Sequence, residues 1–164
     1  MNVFVLDRRP NLAPIYLADV HVIKMCLETA QILSSISVRC GKKLTADMPK
    51  PYNPKHPVIC GIKENDQINW LLEYNKALHE EYKYRFGKPH IYSKLIKQYF
   101  NLLQKPLNTG GFLPINCEGF TKAFKGFETD VEDIVDAYRA YYRFKKSQIK
   151  RWKYTRRKEP SWIK

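Results

Sequence analysis

The chain has 164 residues, 44% hydrophobic and 13% aromatic, with 29 Lys and Arg against 16 Asp and Glu and a net charge of +13. That length fits one domain burying about 70% of its unfolded surface, and so much apolar content excludes a wholly disordered chain. No apolar run reaches the roughly 18 residues of a membrane span, and the first segment becomes charged too early for a secretory signal.

An intracellular, cytoplasmic protein without a membrane partner is therefore expected, and its surplus of cations selects polyanions as ligands. Cys26, Cys40, Cys60 and Cys117 form no C-x-x-C pair and have no His at finger spacing. Neither a disulfide framework nor a structural zinc site is expected from them; buried, reduced thiols are the plainer reading.

Residues 2–6 read as a short buried strand or extended arm, ended by Asp7-Arg8-Arg9-Pro10. A long helical pattern runs from Pro14 or Asp19 to Ile36, with Asp19 as a candidate N-cap. Residues 39–62 hold Pro49, Pro51, Pro54 and Pro57 and read as a long loop. A second helix is predicted from Asn65 to Phe86, closed by Gly87 and Pro89, and a third from Tyr92 to Gln104. Residues 105–128 return to loop. The last helix is predicted from Asp130, where acidic residues suit a positive helix N-terminus, to Trp152. The fold class is mainly α: a compact helical domain over residues 1–152, long loops, a short N-terminal arm and a basic tail over 153–164.

On the first helix, His21, Lys24, Glu28, Gln31 and Ser35 fall within an arc of roughly 80° at about 100° per residue. Most other positions (Val22, Ile23, Cys26, Leu27, Ala30, Leu33) are apolar. A narrow polar ridge on an otherwise buried rod can point an amine, a carboxylate, an imidazole and an amide into one cleft. There Glu28 would carry protons and Lys24 would hold it ionised or act as an amine nucleophile. The plain alternative is a solvated Lys24–Glu28 helix pair worth about 0.3 kcal/mol.

Toward the end of the chain, Arg139, Arg143, Lys146, Lys150 and Lys153 recur at helical spacing beside Tyr138, Tyr142 and Trp152. Cations along a rod suit phosphates and neighbouring aromatics suit unstacked bases. The segment 143–164 carries ten basic residues and one acid, Glu159; a flexible solubilising tail is the competing reading. Arg8 and Arg9 are further phosphate candidates. His56 and His90 are loop histidines within reach of a cleft, whereas Asn75 and His79 share the apolar side of the second helix as core residues or supports. No phosphate loop, dinucleotide fingerprint or zinc-deaminase signature is present.

The segment Leu17-Ala18-Asp19-Val20-His21, followed seven residues later by Glu28, resembles the opening of the phage endonuclease V family of pyrimidine-dimer DNA glycosylases and AP lyases. Pro160-Ser161-Trp162-Ile163 partly echoes that family's closing P-x-W-aromatic segment. Asn2, Phe4, Leu6, Asp7, His21, Lys24, Met25, Glu28 and Gln31 also match a pattern seen in uncharacterised phage proteins. The resemblance implies a small, basic, mainly α viral protein, a DNA substrate, Glu28 as acid–base residue and His21 beside it, with no metal or organic cofactor. Three positions depart. Asp7 falls where the family has its nucleophilic N-terminal Thr, Leu27 stands for an Arg before the Glu, and Gln31 stands for an Arg three residues after it.

The expected function is thus a DNA-acting enzyme working at C1′ of a damaged or modified pyrimidine nucleotide, active as a monomer. Glu28 would be the general acid–base and Lys24 or Asp7 the nucleophile. His21 and Gln31, with Arg8, Arg9 and His56, would hold the substrate. Tyr138, Arg139, Tyr142, Arg143, Lys146, Lys150, Trp152 and Lys153 would hold the nucleic acid. Two alternatives stand beside it: a non-catalytic viral protein that coats nucleic acid or blocks a host defence, and an enzyme or sponge for free nucleotides.

Overall fold

The computed structural model describes residues 2–104 and 115–164, and among these it holds five α-helices and no β-strand. They are α1 (Asp19–Arg39), α2 (Pro57–Gly61), α3 (Asn65–Phe86), α4 (Ile96–Leu103) and α5 (Ile134–Gln148). Short 3-10 turns occupy Ala13–Tyr16, Ile91–Leu95 and Ser161–Ile163. No described helix is long and apolar enough to cross a membrane.

The axis of the fold is the antiparallel pair α1 and α3. The start of α1 meets the end of α3 through Asp19 and Arg85, whose Nη1 lies 3.0 Å from Asp19 Oδ1. Their inner faces contribute Met25, Ile32, Leu33 and Ile36 from one side and Trp70, Leu71, Tyr74 and Leu78 from the other, all 0% exposed. α3 has the bounds that its end signals predict. Gln67 returns its side-chain oxygen to the Glu64 N–H at 3.1 Å, and Gly87 takes the left-handed φ of +73° that ends the helix on the carbonyl of Lys83.

The arm 2–6 is buried and belongs to no helix or strand, and it turns tightly where the Leu6 N–H donates to Phe4 O at 2.9 Å. It lies between α1 and α5, with Phe4 edge-on to Tyr142 at 5.1 Å.

Several boundaries correct the sequence reading, and α2 is a short helix inside the stretch 39–62 that reads as loop, opened by Pro57 and capped by His56. α1 begins at Asp19 as its first helical residue, with Ala18 as N-cap, and runs on to Arg39. The Asp19 carboxylate is instead taken by Arg85 and by the Thr155 N–H and hydroxyl. The third predicted helix opens as a 3-10 turn and becomes α-helical only at Ile96. α5 starts later than Asp130, because Asp133 is the residue whose carboxylate caps the Asp136 N–H. It also stops at Gln148 rather than Trp152: Ile149 is extended, and Trp152 turns back onto His21 and Tyr142 at 5.5 and 4.9 Å.

The basic tail is no loose appendage. Lys153 O accepts the Asp19 N–H at 2.8 Å, Arg157 forms a forked pair with Glu81, and Ile163 is buried.

Candidate active site around Glu28

Glu28 sits where the polar ridge of α1 passes under the N-terminal arm. Its side chain is 14% exposed, and one oxygen pairs with Lys24 Nζ at 3.2 Å. The other carboxylate oxygen accepts the backbone N–H of Asn2 at 3.4 Å. Two nitrogens therefore converge on a single carboxylate, one on a free-swinging exposed side chain and one on a fixed backbone.

Asn2 is held there from several sides. Its Oδ1 accepts the Tyr138 hydroxyl at 2.9 Å and the Val3 N–H at 2.8 Å, and its Nδ2 donates to Ala123 O at 3.0 Å. Tyr138 is buried, which drives its phenol well above the usual range. It is thus a positioning group for the arm and not a surface for stacking bases.

His56 lies within electrostatic reach of Glu28. It caps α2 by accepting the Val58 N–H on Nδ1 at 3.3 Å, and Tyr52 meets its ring edge-on at 5.4 Å. Burial lowers the His56 pKa and the charge of Glu28 opposes it, so the two groups share one neighbourhood. The loop carrying Tyr52 and His56 is tied to the ridge by the Tyr52 N–H, which donates to Ser35 Oγ at 2.9 Å. Gln31, half-buried, lies one turn beyond Glu28 on the same side. Tyr74 is fully buried within the electrostatic reach of Glu28 and Cys26, and its hydroxyl has no hydrogen-bond partner among the described residues.

The family model for pyrimidine dimer DNA glycosylases matches residues 1–93. The chain belongs to that family. No curated protein and no solved structure matches it. The matched stretch contains the arm, α1, the His56 loop and α3, so it covers every residue named around Glu28 except Tyr138 and Ala123. A pyrimidine-dimer DNA glycosylase-like function, with DNA as substrate, follows in general terms.

Within this glycosylase-family fold the other sequence candidates divide. Lys24, Gln31 and His56 gather around Glu28. His21 does not: it is buried, its Nδ1 is 2.8 Å from the Tyr142 hydroxyl, and its ring packs on Phe4 at 4.7 Å. Burial, with help from the positive charges of Lys24 and Lys145, drives its pKa down to about 3 and keeps it neutral. Tyr142 also accepts the Ala18 N–H at 2.7 Å, so it and Trp152 belong to an aromatic core rather than a base-stacking wall.

Asp7 faces a separate surface cleft of about 510 Å³ with Arg8, Arg9 and Arg139. Burial pushes its carboxyl up, but the Arg9 side chain and N–H and the charge of Arg139 outweigh that and hold it below the usual range. Arg8 is paired with Glu118 and Asp133, and Arg9 with Asp7.

The cationic ridge of α5 is also engaged within the molecule. Arg139 donates to Leu6 O at 3.0 Å and lies 5.2 Å over the Trp162 ring. Arg143 donates to Trp162 O at 3.1 Å, and Lys146 pairs with Glu159 at 2.9 Å. Lys150 and Lys153 lie past the helix end and off the ridge. With Arg151 they are exposed and make no ion pair among the described residues.

Sequence reasoning missed Asn2 as a site residue. Counting along the chain put Asp7 where the family's nucleophile stands, whereas the buried arm folds back and sets the Asn2 nitrogen on Glu28. The signal was present in the unbroken apolar run 3–6, which must pack inward and carry its neighbour with it.

Proposed function

We propose that the protein acts on DNA at C1′ of a damaged or modified pyrimidine nucleotide, with Glu28 as the acid–base residue and an amine beside it as the nucleophile. The observation that carries this is the convergence of Lys24 Nζ, at 3.2 Å, and the Asn2 nitrogen, at 3.4 Å, on the same carboxylate.

A neutral amine attacks C1′, and the glycosidic bond breaks with its electron pair leaving on the base. Glu28 accepts a proton from the attacking nitrogen and stabilises the developing C1′ cation. Lys24 is the amine the chain carries on a side chain. The Asn2 nitrogen is an amide while Met1 is attached, and becomes a second amine when Met1 is removed. Asp7 has no part in this reading because its carboxylate serves Arg9. Gln31 and His56 line the pocket that takes the extruded nucleotide, and Lys150, Arg151 and Lys153 meet phosphates.

Borohydride trapping tests the reading. The full chain is incubated with duplex DNA containing an abasic site or a thymine dimer, and any adduct is mapped by peptide mass spectrometry. A covalent adduct on Lys24 or on the first residue, lost in Glu28→Gln, supports it. Retention of full activity in Glu28→Gln ends it, and binding without adduct or strand break favours a non-catalytic role.

A further inference from the structure

On the side of α1 turned away from Glu28, three groups from distant parts of the sequence come together. Cys26 and Glu28 are two positions apart, about 200° around the helix. Cys26 Sγ, a ring nitrogen of His79 on α3 and a ring nitrogen of His90, which precedes the Ile91–Leu95 turn, all lie within 4.8 Å of one another.

His79 is the informative member. It is 3% exposed, and neither of its ring nitrogens has a hydrogen-bond partner among the described residues. A buried imidazole that satisfies neither nitrogen carries a desolvation cost that a packed core does not normally leave standing. One helical turn before it, Asn75 Oδ1 is likewise buried and unpartnered.

We propose that Cys26, His79 and His90 bind one zinc-class divalent metal ion, which ties α1, α3 and the Ile91–Leu95 turn together. The donor set selects the metal. One thiolate and two imidazoles suit zinc and its borderline-soft neighbours, whereas the absence of a carboxylate from the cluster disfavours calcium and magnesium.

Ligand atoms on a tetrahedral zinc stand about 3.3–3.8 Å apart, so closing the cluster shortens each separation by about 1.5 Å at most, shared between two side chains. Binding exchanges two weak contacts for metal bonds. The Cys26 thiol, which donates to Val22 O at 3.3 Å, releases its proton to solvent as the sulfur–metal bond forms. His90 gives up the Tyr92 N–H that its Nδ1 accepts at 3.3 Å, either by coordinating through Nδ1 or by carrying a proton there while Nε2 coordinates. A water or Asn75 Oδ1 completes the fourth position. Three protein ligands from three elements make the ion a clamp, on the face of α1 opposite the Glu28 cleft.

The test uses the full chain, stripped of metal under reducing conditions and titrated with zinc or cobalt(II). The expected result is one equivalent bound, a sulfur-to-cobalt charge-transfer band with intense tetrahedral visible bands, and a thermal midpoint that rises with zinc concentration. Cys26→Ser should remove the charge-transfer band. His90→Gln, at a half-buried position with little risk to folding, should weaken binding by more than the about 100-fold that loss of a supporting hydrogen bond reaches at most. The double variant Cys40→Ser/Cys60→Ser, which removes the two exposed thiols, should keep the band, and so should Glu28→Gln, which separates this site from the proposed catalysis. Absence of the band in the unaltered protein, its survival in Cys26→Ser and His90→Gln together, or its loss in the exposed-thiol variant would overturn the proposal.

Discussion

The two stretches of sequence that invited a functional reading, the polar ridge of α1 and the basic ridge of α5, meet opposite fates in the fold. On α1, Glu28 has two nitrogens beside it, and Lys24 remains 60% exposed. On α5, the side chains of Arg139, Arg143 and Lys146 are consumed by Leu6, Trp162 and Glu159. Both ridges have helical spacing and similar width. What separates them is what the rest of the chain lays over them: a short arm that leaves Lys24 exposed in one case, a tail that takes up the cations in the other. Periodicity reports which residues share a face. Whether that face is free is decided by segments far away in sequence.

The sharpest way to break this contrast is Glu28→Gln. Loss of a general acid–base residue should reduce turnover by about 10²–10⁴-fold while DNA affinity and the thermal midpoint stay close to those of the parent. Single-turnover cleavage and a binding isotherm measured side by side check it, and a parallel loss of affinity would move Glu28 from chemistry to binding.

Next in size is the support beneath the α1 start. Arg85 is fully buried and bonds Glu81, Asp19, Leu17 O and Ile15 O. Arg85→Met strands the Glu81 and Asp19 carboxylates and should cost about 3–5 kcal/mol in denaturant unfolding. A cost below about 1 kcal/mol would mean that the tail, through Thr155 and Arg157, holds those carboxylates alone.

A smaller effect is expected from His21. Its imidazole has an ordinary pKa of 6.5 when unfolded and about 3 when folded. Between those values the unfolded chain binds the proton and the folded one does not, so stability falls as pH drops, by up to about 1.4 kcal/mol per pH unit. Unfolding free energies measured across that window should show this slope, and His21→Gln should flatten it. A catalytic imidazole titrating near neutrality would instead leave its mark on the rate profile.

The smallest expected change belongs to the α5 ridge. Neutralising Arg143 and Lys146 together should leave the slope of log affinity against log salt almost unaltered. Two lost phosphate contacts would reduce its magnitude by about 1.8. Lys150→Ala with Lys153→Ala should lower it by about that much, and the reverse pattern would restore the ridge as the DNA face.

The sequence made α3 readable to the residue because both of its ends are written locally, in Gln67 and Gly87. It made the Lys24–Glu28 pair readable because four residues make one turn. The α5 boundary was not readable, since Trp152 leaves the helix to pack on His21, a partner from the other end of the chain, and back on Tyr142 of α5. Asn2 escaped for the same reason. So did the Cys26, His79 and His90 cluster: spacing rules recognise metal ligands that are neighbours in sequence, and these three meet only when α3 lies antiparallel to α1.

The ties from Lys153 and Thr155 to Asp19 also bear on the order in which the molecule is made. The helix that carries Glu28 is translated before the stretch that fastens its opening residue, with 136 residues separating Asp19 from Thr155. The growing chain therefore lacks the tail's ties to Asp19 until residues 153–155 have been added, as expected for a topology with distant contacts. Loss of residues 153–164 would leave Arg85 as the remaining partner of the Asp19 carboxylate and free the backbone N–H that opens the first helix.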